Sequence, residues 1–350
     1  MDAEQIPRIP QSACLHYLNE GAANIVYTIE VTAPTPPGSI LEAYGPGTPP
    51  PEVIESYLDQ EFDDPKDLEA VENKLLRLRK DLPTTLPVAR SQEAWVRVIE
   101  PLFLPDQVVR QSLNHPTEYK NPRPSRRKGA YLANDEFGLL ITDMSSSGEI
   151  VIEFKPKWLA QSPSAPKNAV RCRQCARFAR TNADLARKGD PLQKSWCPLD
   201  LNIHDGLQLA KAIWTPETFE EMFPRFSSWL SGNTLLPRLR QLQIELDPVG
   251  VLENDKNDEQ FRAAMTLRDC TVFVRFPENA EDDQYGIEAR IGDLDLKNPN
   301  KAQYWKDTEN ALIEEGWYTG TEKKEDRQPL TCQLSPKLED AMREMLLSNS

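Results

Sequence analysis

The distribution of proline is the feature that most restricts the fold of this chain. Thirty of the 350 residues are proline, and seven of these lie in the short segment 34–51. The total is well above the usual share of about 5%. Because this segment has few backbone donors and few apolar side chains, it is typical of an insertion or linker. We predict that residues 31–70 form a proline-rich and acidic insertion without a catalytic role, with a solvated helix over its acidic part.

Apolar patterning on either side of the insertion predicts short strands and helices in an α+β chain. Strands rich in β-branched residues are expected at 23–31 and 74–79, and the segments 137–144 and 148–158 are expected to pair as a hairpin. At about 100–200 residues per domain, the length allows two lobes. We place a sheet-containing N-lobe at 1–145 and a mixed, helix-rich C-lobe at 146–350.

Capping residues predict where the helices begin and end. We expect one helix capped by Ser91, one at 206–214, one capped by Thr215, one ended by Gly316 and a last one capped by Ser335. A second strand pair is expected at 270–276 and 285–296.

Charge is distributed unevenly along the chain. There are 41 Lys plus Arg and 55 Asp plus Glu, a net charge of −14, yet residues 123–188 contain thirteen basic and six acidic residues. That segment carries +7 and the remainder −21. A basic segment in an acidic protein favours a small, highly charged anionic ligand over nucleic acid. A solvated basic surface without a ligand is the alternative.

Composition also restricts the compartment. No apolar run approaches the ~18 residues that a membrane-spanning helix needs, and the N-terminus lacks both a basic start and an apolar stretch. Six cysteines are too few for a disulfide scaffold in a chain of this length. We expect a monomer in the nucleus or cytoplasm, with no membrane and no stable nucleic-acid partner.

Two motifs in the predicted N-lobe suit phosphate binding. EGAANIVY places Gly21 and small side chains before a strand, which lets backbone amides approach a triphosphate. In KLLRLRK, Arg77 and Arg79 point to one face of a strand, where kinases hold ATP phosphates. A plain turn and an edge strand with solvated charges are the respective alternatives.

Two motifs in the predicted C-lobe combine lysines with aspartates. IEFKPKW places Lys155 and Lys157 on the same side of an extended segment, where their charges repel unless an anion lies between them. GDLDLK places Asp293 and Asp295 on one face of a strand in phase with Lys297, which suits magnesium beside phosphate. Solvated surface charges are the alternative for both motifs.

The order of these motifs resembles that of inositol-pentakisphosphate 2-kinases, which use ATP to phosphorylate the axial 2-hydroxyl of inositol pentakisphosphate and give inositol hexakisphosphate (phytate). The resembling segments run from Glu20 to about Trp305 and comprise EGAANIVY, KLLRLRK, RPSRR, IEFKPK, CPLDL, AMTLRDC and DLDLK. The resemblance implies a two-lobed, distantly protein-kinase-like fold, with ATP and Mg²⁺ as cofactors and an inositol phosphate as substrate.

The resemblance also implies roles for individual residues. The nucleotide would contact Gly21, Asn24, Val26, Arg77, Asp143 and Met144. The substrate phosphates would contact Arg127, Lys155, Lys157, Arg180, Lys297, Lys301 and Trp305. The catalytic residues would be Asp269, which faces the reacting hydroxyl, and Lys155, which also touches the transferred phosphate, while Asp293 would bind magnesium.

Some interpretations stay open. Cys172, Cys175, Cys197 and His204 have residue types and a CxxC spacing that suit a tetrahedral zinc site, but one CxxC is only half of the usual signal, and we favour buried free cysteines. The function alternatives are a non-catalytic binder of inositol phosphates or phosphoinositides, and a kinase for another inositol-phosphate isomer. A zinc-stabilised nucleic-acid module is disfavoured by the isoelectric point near 4.9.

Overall fold

The computed structural model describes residues 6–31, 63–116, 131–145, 150–277 and 286–336. The chain divides into two compact units. Unit 1 comprises Met1–Glu93 and Val109–Asp143, and unit 2 comprises Ala94–Val108 and Met144–Ser350. The chain therefore passes for the last time from unit 1 to unit 2 between Asp143 and Met144. Residues 94–108 belong to unit 2, although the sequence analysis placed them in the N-lobe.

Unit 1 contains a five-stranded antiparallel sheet in the order β1-β2-β3-β5-β4. Its strands are β1 (Ala13–Glu20), β2 (Asn24–Val31), β3 (Lys74–Arg79), β4 (Gln111–Asn114) and β5 (Gly138–Thr142). Alternate side chains such as Ile25, Tyr27, Leu76 and Leu140 form one buried cluster on the sheet. The predicted strands at 23–31 and 74–79 are thus confirmed.

Two helices of unit 1 flank β3 in the sequence. Helix α1 (Pro65–Val71) begins at Asp64, whose side chain accepts a hydrogen bond from the Lys66 N–H, and lies within the predicted acidic helix. Helix α2 (Val88–Ala94) begins three residues before the predicted cap, because the Ser91 N–H already donates to the Pro87 carbonyl inside its first turn. The chain continues from α2 through a π-helical turn and a 3₁₀ turn to Leu102.

The predicted hairpin between segments 137–144 and 148–158 is wrong. Strand β5 pairs with β3 and β4 in unit 1, whereas β6 (Ile150–Phe154) pairs with β7 (Thr271–Phe276) in unit 2. Alternation of apolar residues specifies which face of a strand is buried, but it does not specify the partner strand. The partner of β6 lies more than a hundred residues away in the sequence.

Unit 2 combines a three-stranded antiparallel sheet with several helices. The sheet order is β6-β7-β8, with β8 at Glu288–Gly292. The helices are α3 (Arg173–Lys188), α4 (Leu207–Ile213), α5 (Pro216–Gly232), α6 (Leu235–Glu245), α7 (Glu259–Leu267) and α8 (Ala302–Glu314). The largest buried apolar cluster lies here and includes residues of the sheet and of α4 to α7. The α+β class is therefore confirmed, with antiparallel sheets and many helices.

Several predicted helix boundaries in unit 2 are confirmed. The Thr215 side chain accepts from the Thr218 N–H at the start of α5, and Gly316, just after α8, has a φ of +78° that suits glycine. The predicted strand pair is β7 with β8. The helix predicted after Ser335 and most of the 31–70 insertion lie outside the described residues. Among the helices that the structure describes, none combines the length and apolar content that crossing a membrane requires.

Candidate active site

The candidate site in unit 2 lies at one edge of the three-stranded sheet. Phe154 of β6 pairs with Val272 of β7, and Thr271 pairs with Gly292 of β8. The residues just beyond these ends therefore lie side by side: Lys155 follows β6, Asp269 precedes β7 and Asp293 follows β8. Strand register alone brings together three side chains that are far apart in the sequence.

Asp269 is the centre of this group. Its Oδ1 accepts a hydrogen bond from Lys157 Nζ at 2.9 Å, and its Oδ2 accepts one from Lys297 Nζ at 2.7 Å. Lys155 Nζ donates to the Asp269 carbonyl oxygen at 2.9 Å and to Asp293 Oδ2 at 3.1 Å. We call these five residues, Lys155, Lys157, Asp269, Asp293 and Lys297, the lysine–aspartate cluster. It unites the basic and acidic motifs that the sequence singled out.

The electrostatics of the cluster keep Asp269 ionised. Burial acts to raise the pKa of Asp269, but the ammonium groups of Lys297 and Lys157 outweigh it and hold the pKa well below its usual range. Nearby, burial and the positive charge of Lys297 lower the pKa of Lys301. The three lysines of the cluster outnumber its two aspartates, and Lys301 lies close by, so the site has an excess of positive charge. Such a site can accept further anionic groups.

The backbone at two cluster residues differs from the prediction. Lys157 and Asp293 have φ angles of +58° and +57°, which non-glycine residues seldom adopt. The segment at Lys157 is therefore not extended, and β8 ends at Gly292, before the two aspartates. The left-handed turn at Lys157 nevertheless brings its ammonium group to the same aspartate that Lys155 contacts.

Gln243 of α6 holds the two backbone segments that present the cluster. Its Nε2 donates to the carbonyls of Lys157 at 2.8 Å and Leu267 at 3.1 Å, and its Oε1 accepts from the Leu159 N–H at 2.9 Å. The side chain is fully buried. Sequence reasoning missed this residue, because a glutamine in a helix has no local signature of a bridging role.

Arginines pack around Trp158, the residue after Lys157. The guanidinium groups of Arg173 and Arg268 lie 4.2 Å and 3.8 Å from the centre of the indole ring, which is a cation–π geometry. Arg268 also forms a buried ion pair with Asp247 and donates to the Gln243 carbonyl at 3.0 Å. The arginine next to Asp269 thus supports the site from within the core.

Side chains of helix α7 position Lys297 by hydrogen bonds to the backbone of Lys297. The Lys297 N–H donates to Thr266 Oγ1 at 3.0 Å, and its carbonyl accepts from Arg262 Nε at 2.6 Å. Thr266 is buried in α7, three residues before Asp269. The motif AMTLRDC therefore supplies both the central carboxylate and an anchor for the lysine that contacts it.

Lys301, Trp305 and Arg180, which the sequence assigned to substrate, lie outside the cluster. Lys301 ends a 3₁₀ turn before α8, whereas Trp305 lies within that helix. Trp305 is 7% exposed, and its ring packs edge-to-face against Phe261, so little of the residue is open to a substrate. Arg180 of α3 forms a two-point ion pair with Glu315. Their contact with substrate stays a prediction.

In unit 1, the register places three of the six predicted nucleotide-binding residues, Asn24, Val26 and Arg77, on one face of the sheet. Asn24 is opposite Arg79 and Val26 is opposite Arg77 on neighbouring strands, and residues directly opposite each other share a face. Arg77 is buried and donates to Gln111 Oε1 at 3.2 Å. Arg79, in contrast, forms a two-point ion pair with Asp135.

The loop at Gly21 is secured by Lys80, which the sequence analysis quoted without assigning a role. The Gly21 N–H donates to the Asn24 carbonyl at 3.0 Å, and the Gly21 carbonyl accepts from the buried Lys80 Nζ at 2.7 Å. The Lys80 N–H also donates to the Ala23 carbonyl at 2.8 Å. A Cβ atom added to Gly21 would meet no atom within 4 Å, so the loop has open space on that side.

Comparison with known proteins decides the family. The family model for inositol-pentakisphosphate 2-kinases matches residues 17–216 and 215–311, which is most of the chain. The chain belongs to the inositol-pentakisphosphate 2-kinase family. The matched residues include the lysine–aspartate cluster and the Gly21 loop.

Two curated relatives named inositol-pentakisphosphate 2-kinase are similar to this family member. The one from Yarrowia lipolytica is 34% identical over 173 residues, which are 48% of this chain and 53% of the relative. The one from Kluyveromyces lactis is 28% identical over 172 residues, which are 48% of this chain and 51% of the relative. The aligned part of the chain thus spans about half the length of each relative.

Two further positions assigned through the inositol-pentakisphosphate 2-kinase resemblance, Asp143 and Met144, lie outside the cluster and the Gly21 loop. Asp143 ends unit 1, and its N–H donates to the Asn73 carbonyl at 3.0 Å. Met144 begins unit 2 and is buried. Arg127 lies outside the described residues.

Asp293 suits the magnesium ion that an inositol-pentakisphosphate 2-kinase implies. Its carboxylate is more than half exposed, and its Oδ2 accepts from Thr271 Oγ1 at 2.7 Å and from Lys155. Carboxylate oxygen is a hard ligand, and Mg²⁺ is usually bound by one or two carboxylates together with phosphate oxygens and water. A single fixed carboxylate beside Lys155 fits that pattern.

The predicted cysteine and histidine set differs from the observed grouping. Cys172, Cys175 and Cys197 lie together, but the fourth member is Cys332. His204 Nδ1 instead lies 3.0 Å from the Leu230 carbonyl oxygen. His204 is near Cys197 in the sequence, but it follows the 3₁₀ turn Pro198–Ile203, and its ring lies beside Leu230 instead of the cysteines.

Proposed function

We propose that this chain is an ATP-dependent kinase that phosphorylates the 2-hydroxyl of inositol 1,3,4,5,6-pentakisphosphate to give inositol hexakisphosphate. One observation carries the proposal: in a member of this family, Lys155, Lys157 and Lys297 meet at Asp269 beside Asp293. The name of the two relatives supplies the reaction class and the substrate. The lysine–aspartate cluster supplies a site whose charge matches the substrate.

The charge of the substrate explains why several lysines are needed. Inositol pentakisphosphate carries up to about ten negative charges, and ammonium groups bind phosphate oxygens through strong charge-assisted hydrogen bonds. In the described structure, Asp269 accepts hydrogen bonds from the ammonium groups of Lys157 and Lys297. In the proposed complex, substrate phosphates would accept such hydrogen bonds from these lysines instead. Lys301, Arg127 and Arg180 would add further contacts.

The proposed transfer needs alignment more than proton abstraction. The 2-hydroxyl oxygen forms a bond with the γ-phosphorus while the bond from that phosphorus to the β–γ bridging oxygen breaks, so that ADP leaves. Asp269 would accept a hydrogen bond from the hydroxyl and take its proton late, because a carboxylate of low pKa is a weak base. A carboxylate has about four acceptor sites, so it can accept this bond in addition to a lysine.

The remaining roles concern the nucleotide and magnesium. We assign ATP phosphates to the Gly21 loop and Arg77, and the transferred phosphate to Lys155. A magnesium ion on Asp293 would neutralise phosphate charge when bound. We also propose that units 1 and 2 are the lobes of a distantly protein-kinase-like fold. The protein would act as a monomer in the nucleus or cytoplasm, without a nucleic-acid partner.

The test is direct conversion of the substrate. The protein is incubated with Mg-ATP and inositol 1,3,4,5,6-pentakisphosphate, and the products are separated by anion-exchange chromatography. We expect hexakisphosphate from the wild type, loss of product with Lys155→Ala and Asp293→Ala, and wild-type turnover with Lys167→Ala. Lys167 is an exposed lysine of the same basic segment and serves as the matched control.

Three results would contradict the proposal. Tight binding of the pentakisphosphate without turnover would favour a non-catalytic binder. Faster phosphorylation of another inositol-phosphate isomer would reassign the substrate. Unchanged turnover in both cluster variants would show that the chemistry does not use this site.

A further inference from the structure

A contact in the core accompanies the contact between Lys157 and Asp269. In the site, Lys157 Nζ donates to Asp269 Oδ1 at 2.9 Å. In the core, Trp158, which follows Lys157, contacts Arg268, which precedes Asp269. The guanidinium carbon of Arg268 lies 3.8 Å from the centre of the indole ring, and both residues are buried. Two adjacent residues of one segment therefore contact two adjacent residues of another, once in the site and once in the core.

Two arginines contact the Trp158 ring, and a buried carboxylate holds each of them. The guanidinium carbon of Arg173 lies 4.2 Å from the ring centre, and Arg173 Nε donates to Glu309 Oε2 at 2.6 Å. Arg268 forms its ion pair with Asp247. Glu309 and Asp247 are fully buried. Because water is excluded around these groups, the attraction between each guanidinium group and the ring is stronger than it would be at the surface.

The turn at Lys157 needs contacts of this kind. Lys157 has a φ of +58°, and a residue with a β-carbon keeps this conformation only where its surroundings offset the cost. Hydrogen bonds hold the backbone after the turn: the Leu159 N–H donates to Gln243 Oε1 at 2.9 Å, and Asn202 Nδ2 donates to the Leu159 carbonyl at 2.8 Å. Trp158 lies between Lys157 and Leu159, and its ring attaches the turn to the core.

We infer that Trp158 is a positioning residue: its ring, contacted by two guanidinium groups, holds the left-handed turn that presents Lys157 to Asp269. Trp158 is 3% exposed, so it acts through Lys157 and not by contact with a ligand. Without the ring, the turn would relax toward the backbone conformations that lysine prefers, and the ammonium group would leave the carboxylate. The effect on phosphate binding rests on the proposed function, in which Lys157 binds the pentakisphosphate.

Acetylation of lysine side chains tests the position of Lys157 without any substrate. The protein is treated briefly with acetic anhydride, and mass spectrometry gives the rate at Lys157 relative to the exposed Lys167. The Lys157 side chain is 22% exposed while it is bonded to Asp269, so its release into solvent should speed the reaction. We expect a severalfold faster reaction in Trp158→Leu than in the wild type, and an intermediate rate in Trp158→Phe, which keeps an aromatic ring.

Two further variants separate positioning from general stability. Trp95 is as buried as Trp158 and belongs to the largest apolar cluster of unit 2, so Trp95→Leu should lower thermal stability and leave the Lys157 rate unchanged. Arg173→Lys decides the matter if Trp158→Leu does not fold. A lysine can keep the ion pair with Glu309 but lacks the planar group that stacks on the ring, so Lys157 should again react faster.

Calorimetric titration with inositol 1,3,4,5,6-pentakisphosphate, without ATP, measures the effect on binding. We expect Trp158→Leu to raise the Kd about tenfold, the loss typical of one charge-assisted phosphate contact. If Trp158 acts through Lys157, the same substitution should have little further effect on the Kd in a Lys157→Met background. A purely structural role would not produce this dependence on Lys157.

The outcomes distinguish this inference from the proposed function. An unchanged Lys157 rate in folded Trp158→Leu, or in Arg173→Lys, would overturn the positioning role, whatever the protein does with the pentakisphosphate. A tenfold further loss of affinity on adding Trp158→Leu to Lys157→Met would also overturn it. If the wild type neither binds nor phosphorylates the pentakisphosphate, but Lys157 reacts faster in the variants, the proposed function fails and the positioning role is supported.

Discussion

Asp269 accepts hydrogen bonds from different lysines on its two carboxylate oxygens, and this arrangement separates its effect on turnover from its effect on binding. For turnover, the carboxylate would orient the reacting hydroxyl. For binding, on the proposed function, it would compete with substrate phosphates for the same ammonium groups. A neutral side chain of the same shape should therefore change the two quantities in opposite directions.

We predict that Asp269→Asn lowers kcat by about 10²- to 10⁴-fold, the range typical of a group that acts on the reacting proton. The Kd for the pentakisphosphate should stay equal or fall, because Lys157 and Lys297 are released from the carboxylate. Steady-state kinetics and titration calorimetry measure the two effects separately. Glu153→Gln, an exposed carboxylate on β6, should change neither. A kcat within a few-fold of wild type would exclude a role for Asp269 at the hydroxyl.

The depressed pKa of Asp269 also predicts how stability depends on pH. A carboxylate whose pKa is lowered on folding stabilises the native state above its unfolded pKa of about 3.9, and this contribution disappears as the pH falls toward the lower folded pKa. The difference in unfolding free energy between wild type and Asp269→Asn should be constant near neutral pH and should shrink below about pH 4. Urea unfolding at several pH values measures it. A difference that grows with acidity would contradict the ion pairs with Lys157 and Lys297.

At the scale of elements, α6 fixes the cluster through a single side chain. Gln243 bonds to the backbone of the turn at Lys157 and to the end of α7, so it joins the two segments that carry Lys157 and Asp269. Among the described contacts of α6, no other side chain donates hydrogen bonds to both of these backbone segments. The geometry of the cluster thus depends on a residue that does not face it.

We predict that Gln243→Ala destabilises the protein by about 1–3 kcal/mol, because buried backbone groups of Lys157, Leu159 and Leu267 lose their partner. Urea unfolding gives the free energy, and kinetics should show a raised KM for the pentakisphosphate as Lys157 shifts. Gln241→Ala, an exposed glutamine of the same helix, is the matched control and should have little effect on either quantity. Equal behaviour of the two variants would refute the bridging role.

The β1–β2 hairpin has a comparable dependence on β3. Lys80 directly follows β3, is buried, and bonds to the Gly21 loop through both its backbone and its ammonium group. It also lies 3.4 Å from the carboxylate of Glu20. The loop proposed to bind ATP is therefore held from the adjacent strand.

We predict that Lys80→Met weakens ATP binding severalfold, since the Gly21 carbonyl and the Glu20 carboxylate lose a cation. Lowered thermal stability should accompany this loss, because a buried carboxylate without its partner is unfavourable. Fluorescent-nucleotide titration measures the affinity. Lys74→Met, at the other end of the same strand, is the control. An unchanged Kd for ATP in Lys80→Met would remove the loop from the nucleotide site.

At the scale of the whole molecule, the sequence predicted local features better than distant pairings. The Thr215 cap and the strand before Lys80 follow from short-range patterns, and both are confirmed. The pairing of β5 and β6 was mispredicted, because apolar alternation does not name a partner. In the same way, Cys332 lies 135 residues from Cys197, so spacing favoured the nearer His204. The left-handed backbone conformation at Lys157 could not be predicted either, because the usual sequence signal for it is glycine and this residue is lysine.

Charge at the same scale predicts the salt dependence of the proposed reaction. The chain is acidic as a whole, but the proposed substrate contacts are cationic. The KM for the pentakisphosphate should rise steeply with salt, since the screening length is only about 8 Å at physiological ionic strength. Lys297→Met should show a shallower dependence, with one cationic contact fewer. A KM that is independent of salt would argue that the lysines do not bind the substrate.

Asp269 would also affect how easily the product dissociates from the site. On the proposed function, the hexakisphosphate has one phosphate more than the substrate, so bare lysines would retain it more strongly and turnover would stall. In the described structure, Lys157 and Lys297 donate hydrogen bonds to the Asp269 carboxylate. These ammonium groups can therefore form the same hydrogen bonds again when the product dissociates. The enzyme would then carry its own counterion, which limits inhibition by the molecule it makes.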